Sequence, residues 1–269
     1  MISFPNAKIN IGLVNHGLRE DGFHEIRSTM YSIPIYDSLE IVIGNTGNDK
    51  CSLTISGIEV SADDNLCKHA YQLLDSEFDL GPVRMHLHKV IPIGAGLGGG
   101  SSDASKTILM LNEMFQLKMT VEDMKIRAAK LGSDCPFFIT NEPVIATGRG
   151  DLLERTELKL GGYFLALVYP NFHIDTGDAY KHIQGSKDKV AIDPDSKKIR
   201  DWREYIFNDF ENYVFGTFPE ISQIKSDLYE RGAVYASLSG SGSSVYGIFP
   251  SSVDLTSQFG KYQVWKLTL

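Results

Sequence analysis

Nothing in this sequence restricts the fold more than the run Pro92 to Ser102, where five glycines fall between Gly94 and Gly100 and two serines follow. Before it, Val83, Met85 and Leu87 alternate with Arg84, His86 and His88, the period-2 pattern of a strand that stops at Pro92. After it, Ala104, Thr107, Ile108, Leu111, Met114 and Phe115 recur at helical spacing. The turn therefore delivers a strand into a helix N-terminus, where unpaired N–H groups and the positive end of the helix dipole favour an anion. Glycine, lacking Cβ, adopts positive φ and lets backbone approach a bulky pyrophosphate. A flexible surface loop would show the same composition, but the flanking strand, the apolar helix and the serine pair favour a phosphate cradle. Its residues are Pro92, Ile93, Gly94, Ala95, Gly96, Leu97, Gly98, Gly99, Gly100, Ser101 and Ser102, the two serine hydroxyls being suited to phosphate or to a hydrated Mg²⁺. The sequence has no G-x-x-x-x-G-K-[ST] pattern, no protein-kinase catalytic loop, and no early βαβ unit with an acidic ribose contact.

Around this turn the chain reads as mixed α and β structure. Ile9, Ile11 and Leu13 alternate with Lys8, Asn10 and Gly12 in a half-buried strand over Ser3 to Val14, so that Lys8 and Asn10 share a face. Leu39–Ile43 and Ser52–Ile58 read as strands, with Gly and Asn between them marking a hairpin. Asp63, Asp64 and Asn65 start a helix that ends near Leu74, and Thr120 with Asp123 forms a capping-box pair for a helix ending at Gly132. Beyond Leu160 the pattern restarts: a buried strand at Tyr163–Tyr169, helices at Ile199–Phe210 and Pro219–Tyr229, and strands at Val234–Leu238 and Ser244–Phe249 around Ser239-Gly240-Ser241-Gly242. A short helix and a last strand, Tyr262–Thr268, complete an order close to the split β-α-β-β-α-β arrangement. Gly185 to Lys198, rich in Lys, Asp and Ser, reads as a mobile loop.

Composition excludes several function classes. The 269 residues, 42% hydrophobic and 22% charged, can fill the cores of two modest domains. A formal net charge of −8 argues against a general nucleic-acid binder, though a small anion needs only local donors. Cys51, Cys67 and Cys135 form no disulfide framework and no C-x-x-C metal or redox pair, which fits a reducing cytoplasm. No leader-like or membrane-length apolar run is present, so cytoplasmic localisation with no membrane anchor is expected; the oligomeric state stays open.

The run Pro92-x-Gly94-Ala95-Gly96-Leu97-Gly98-Gly99-Gly100-Ser101-Ser102 resembles the ATP loop of the GHMP kinase superfamily. Pro5-Asn6-Ala7-Lys8-Ile9-Asn10, Arg19-Glu20-Asp21-Gly22-Phe23-His24, Leu131-Gly132-Ser133-Asp134-Cys135-Pro136-Phe137-Phe138 and Asn208-Asp209-Phe210-Glu211 resemble the branch of that superfamily acting on cytidine diphosphate methylerythritol. The resemblance implies a two-domain α+β fold. An N-terminal nucleotide-binding α/β domain would span 1–160 and a C-terminal ferredoxin-like split βαβ domain 161–269, with ATP and alcohol meeting in the cleft between them. It implies ATP and Mg²⁺ as cofactors.

Each residue role implied by the resemblance stands beside a plainer one. Asp134 would accept the proton of the attacking hydroxyl; from the residues alone it could equally cap the helix entered through Pro136. Lys8 would keep Asp134 ionised and stabilise the developing alkoxide, where an ordinary strand lysine would be solvated. Asn10, on the same face as Lys8, would contact a substrate hydroxyl. His24 would offer its two ring nitrogens to the edge of a cytosine, and Phe23, where relatives often carry Tyr, an aromatic surface. Tyr180 would stack on the base or simply pack in the core. Asn65 and Leu66 would meet adenosine, although Asn65 could cap its helix; Lys89 would touch the nucleotide or be a strand-edge lysine. Ser239 to Gly242 reads equally as a second substrate turn and as a plain hairpin.

Overall fold

The computed structural model describes residues 1–44, 49–186, 188–255 and 258–269. Along the chain run β1 (Ile2–Ser3), β2 (Asn6–Leu18), β3 (His24–Tyr36), β4 (Ser38–Ile43), β5 (Cys51–Gly57), α1 (Leu66–Phe78) and β6 (Val83–Lys89). Then follow α2 (Gly99–Met114), α3 (Val121–Leu131), α4 (Cys135–Thr140), β7 (Val144–Thr147), β8 (Leu152–Arg155), β9 (Phe164–Tyr169) and α5 (Thr176–His182). Last come α6 (Trp202–Tyr205), α7 (Phe210–Thr217), α8 (Pro219–Glu230), β10 (Tyr235–Leu238), β11 (Val245–Phe249) and β12 (Gln263–Thr268). Contacts gather these into two compact units that interleave along the chain: Met1–Ala7, Ile35–Pro92 and Gly98–Glu142 form the first, and Lys8–Pro34, Ile93–Leu97 and Pro143–Leu269 the second. This partition follows packing, whereas the expected division at 160/161 follows sequence order.

In the first unit the sheet order is β1-β4-β6-β5. Strand β6 keeps the alternation of its sequence, with Val83, Met85 and Leu87 buried against helices α1 and α2 and Arg84, His86 and His88 exposed. The hairpin expected between Leu39–Ile43 and Ser52–Ile58 does not form. Strand β6 lies between them, antiparallel to β4 and parallel to β5; of the Gly and Asn that suggested the turn, Gly44 donates its amide to Pro82 O at 3.0 Å, and Asn45, Gly47 and Asn48 lie outside the described residues. Helix α3 starts as its sequence predicts: the Asp123 amide donates to Thr120 Oγ1 at 3.1 Å and the Thr120 amide to Asp123 Oδ2 at 3.0 Å.

The second unit holds two four-stranded sheets, β2-β3-β7-β8 and β10-β11-β9-β12. The latter order, with β10–β11, β11–β9 and β9–β12 all antiparallel, is that of a split βαβ domain. Three sequence expectations change. Residues Asn6–Ile11 are buried on both faces, not one. The single helix expected over Ile199–Phe210 is broken: Leu13 donates its amide to Phe207 O at 2.8 Å and accepts the Asp209 amide at 2.9 Å, pulling 206–208 into extended pairing against β2. Tertiary hydrogen bonds here outweigh local helical preference. Finally, the described residues between β11 and β12 form turns and no helix. The stretch Gly185–Lys198 is tied down where it is described, Arg27 forking onto Asp193 at 2.9 and 2.7 Å and Trp202 Nε1 donating to Pro194 O at 3.0 Å; Lys187 lies outside the described residues.

Candidate active site

In the first unit, helix α2 begins inside the glycine run, earlier than its apolar period indicates. Gly98, at φ 68° and ψ 18°, takes the N-cap position in left-handed backbone, no side chain caps the helix, and its first turn carries no acid. A Cβ on Gly99 would lie 2.8 Å from Ile91 Cγ2 and 3.3 Å from Lys89 Nζ, so only glycine allows the helix to start on top of this lysine. Gly100 is exposed and has room for a Cβ, the nearest atom being Leu66 Cδ1 at 3.6 Å.

Lys89 is 3% exposed and lies on an inner strand, which removes the strand-edge reading. Its ammonium donates to Asp37 and, at 2.7 Å, to Asp103. Asp37 also accepts the Val90 and Ile91 amides, the latter at 2.9 Å, and so fixes the chain where it leaves β6 for the glycine turn. Burial, aided by the neighbouring Asp37 carboxylate and opposed by Lys89, pushes the Asp103 carboxyl up to about 7. Burial alone would lower Lys89; the two carboxylates override it and hold the ammonium above its usual range. Neither acid was anticipated from sequence.

Asp134 occupies the N-cap position of α4, half-buried at φ −79°, but makes no side-chain capping bond, so the capping alternative is not what its carboxylate does. The far end of α4 is fixed by Asn6, whose amide pairs reciprocally with that of Asn141 at 3.1 and 2.8 Å. Asn65 caps α1 through Oδ1, accepting the Cys67 amide at 2.9 Å, and Leu66 packs against the core of the unit.

In the second unit the first part of the glycine turn is clasped by backbone. Gly94 O accepts the Ile174 amide at 3.3 Å, Ala95 O accepts Ser244 at 3.2 Å, and Leu97 O accepts Lys8 at 2.9 Å. A Cβ on Gly96 would stand 1.8 Å from Ser239 O. For three of the five glycines, Gly94, Gly96 and Gly99, close contacts within the protein give a reason for glycine besides the approach of a pyrophosphate. Ser239 Oγ donates to Gly96 O at 2.8 Å and accepts the Asn10 amide at 3.3 Å, so the second glycine turn is a brace for the first rather than a plain hairpin. The segment Asn208–Glu211 holds that brace: Asn208 Nδ2 donates to Leu238 O and Gly240 O, and Glu211 accepts the Leu238 amide at 3.0 Å.

Lys8 and Asn10 do share a face, and both are 3% exposed. Lys8 Nζ donates to Asn10 Oδ1, while Asn10 Nδ2 donates to Ser28 Oγ at 2.8 Å. His24 and Tyr180 stack directly, centroids 4.8 Å apart and planes 30° from parallel, with Tyr180 edge-on to Phe210 at 4.9 Å. A base cannot lie between His24 and Tyr180 at that separation. Burial holds the His24 imidazole below its ordinary pKa, favouring the neutral ring. Phe23 is 51% exposed and lies under the Arg149 guanidinium, 4.8 Å from its carbon.

A strand, an uncapped glycine turn and a helix, joined in one chain to an antiparallel split βαβ sheet carrying a second glycine turn, are the parts of a GHMP kinase. Residues 65–142 match the GHMP kinases N terminal domain and 194–258 the GHMP kinases C terminal domain. Over 252 residues the chain is 46% identical to the 4-diphosphocytidyl-2-C-methyl-D-erythritol kinase of Bacteroides thetaiotaomicron, covering 93% of this chain and 92% of that one. It is 43% identical over 257 residues to the enzyme of the same name from Cytophaga hutchinsonii, covering 93% and 92%. A crystal structure of 4-(cytidine 5'-diphospho)-2C-methyl-D-erythritol kinase superposes with a TM-score of 0.81 at 26% identity, covering 100% of this chain and 98% of that one. The Methanococcus jannaschii mevalonate kinase superposes at 0.73 with 14% identity, covering 100% and 98%, a likeness of fold alone. The chain belongs to the 4-diphosphocytidyl-2-C-methyl-D-erythritol kinase family.

Proposed function

We propose that this chain transfers the γ-phosphoryl group of ATP to the 2-hydroxyl of 4-diphosphocytidyl-2-C-methyl-D-erythritol, giving the 2-phosphate in the non-mevalonate route to isoprenoid precursors. The observation that carries this reading is the 46% identity to a kinase of that name over 93% of the chain. The motifs Lys8–Asn10, Asp21–His24, Gly94–Ser102 and Asp134–Phe138 all lie within the resemblance read from the sequence.

In this reading the N–H groups of Gly98 to Ser101 bind phosphate oxygens at the uncapped start of α2. Asn65, Leu66 and Lys89 lie on the nucleotide side; Lys89, being enclosed by two carboxylates, shapes the cradle from beneath it. Asp134 accepts the proton of the attacking hydroxyl, and Lys8 offsets the charge that develops on that oxygen. Asn10 orients the alcohol, and Phe23, His24 and Tyr180 receive the cytosine, Tyr180 swinging away from His24 to admit it. Mg²⁺ bound through nucleotide phosphates requires only one or two protein oxygens; the Ser101 hydroxyl at the helix start fits that requirement, and the ion would supply charge neutralisation. The reaction takes place in the cytoplasm, where ATP is available.

An assay coupled to ADP release, run with the cytidyl alcohol, homoserine and mevalonate, tests the assignment. Turnover of the cytidyl alcohol is expected, and turnover of another alcohol in its place would overturn it. Asp134→Asn should lower turnover by orders of magnitude and still bind ATP.

A further inference from the structure

Asn15, on β2, is fully buried and held at three points: its amide donates to Asp209 Oδ2 at 2.8 Å, its carbonyl accepts the Ser186 amide at 3.1 Å, and its Oδ1 accepts the Gly17 amide at 3.0 Å. The last bond decides which way the side-chain amide faces, because a flipped amide would set an N–H₂ against the Gly17 N–H. Oδ1 also meets His24 Nδ1 at 3.2 Å. An acceptor at that position requires the proton on Nδ1, so the neutral ring carries its lone pair on Nε2, which no described residue engages.

Asn15 Nδ2 is buried with no partner among the described residues. A buried donor left unbonded costs about 1–3 kcal/mol, so the position is set by the acceptor Oδ1 and not by Nδ2.

We propose that Asn15 is a positioning residue that locks His24 in the Nδ1–H tautomer, so that Nε2 accepts from the exocyclic amino group of cytosine and repels the carbonyl oxygen that uracil carries there. This rests on the cytidine reading above. A ring free to exchange tautomers would bond either base and discriminate weakly.

The ¹⁵N shifts of the His24 ring report the tautomer without substrate. In the wild-type protein Nδ1 should show a protonated-type and Nε2 an unprotonated-type shift; the reverse assignment overturns the proposal. Calorimetry with CDP and UDP should show CDP preferred, and Asn15→Leu should shrink that preference roughly tenfold or more while its ring shifts move toward a mixture of tautomers. Unchanged preference with changed tautomer, or the converse, also overturns it. Should Asn15→Leu not fold, Asn15→Asp, which can accept from both Gly17 and Nδ1, must keep both the tautomer and the CDP preference at a pH where its ¹⁵N shifts show a neutral ring. Failure of the chain to phosphorylate the cytidyl alcohol would count against the cytidine kinase reading alone, since tautomer and CDP preference are measured without turnover.

Discussion

The two stretches of the glycine turn are held by buried polar clusters of different character. Gly98 to Ser102 start above a charged triad, Asp37, Lys89 and Asp103, with two acids to one base. Gly94 to Leu97 are held by backbone amides and by the hydroxyl of Ser239, itself joined to Asn10. A charged cluster responds to pH and depends on every member, because removing one leaves a buried charge uncompensated. A cluster of amides and hydroxyls has no proton to lose near neutrality, so it fixes geometry independently of pH.

The largest effect should come from the close approach that glycine allows in the second cluster. Gly96→Ala places a Cβ 1.8 Å from Ser239 O at φ +77°. Either the turn or its brace must move, and a loss of more than about 4 kcal/mol is expected in denaturant unfolding, with nucleotide binding lost. A near-normal midpoint would show that the two turns are not braced as described.

Lys89→Met tests the charged triad and should cost about 3–5 kcal/mol at neutral pH, because Asp37 and Asp103 would remain buried together. The loss should shrink on acidification as a carboxyl takes up a proton. Asp103→Asn sharpens the contrast. In the wild-type protein Asp103 titrates at about 7 when folded, against about 3.9 for an unfolded aspartate. Between those values the folded state binds more protons, so its stabilisation is complete below about pH 4 and is lost as pH rises to about 7. The change should be on the order of 2–4 kcal/mol across that window, and Asp103→Asn should flatten it. Equal slopes in the two proteins would mean that Asp103 stays ionised throughout.

These clusters also show what was legible in the sequence. The strand–turn–helix element could be read because its period changes from 2 to 3.6 across Pro92–Ser102, and α3 because Thr120 and Asp123 carry a local cap. Lys89 carried a signal that went unused: it continues the inward positions Val83, Met85 and Leu87, so the alternation itself buries it. Asp103 left a similar trace, an acid four residues before Thr107 on the buried side of α2. Asp37 left none, because its partners are 52, 53 and 54 residues away in β6 and the turn after it. The broken helix over 199–210 and the insertion of β6 between β4 and β5 arise from distant backbone pairing, which no local pattern encodes.

The smallest of these effects belongs to Ser239→Ala, which removes the hydroxyl bonded to Gly96 O and Asn10 N and leaves the backbone clasp intact. Ser239 is fully buried, so both partners lose a bond that water cannot replace. A cost of about 1–2 kcal/mol is expected. Because neither partner titrates, the cost should be the same at pH 5 and pH 8, in contrast to the variants of the triad. A penalty that grows with pH would place Ser239 under the influence of a titrating neighbour and would undo the separation between a charged support for the start of α2 and an uncharged one for the turn before it.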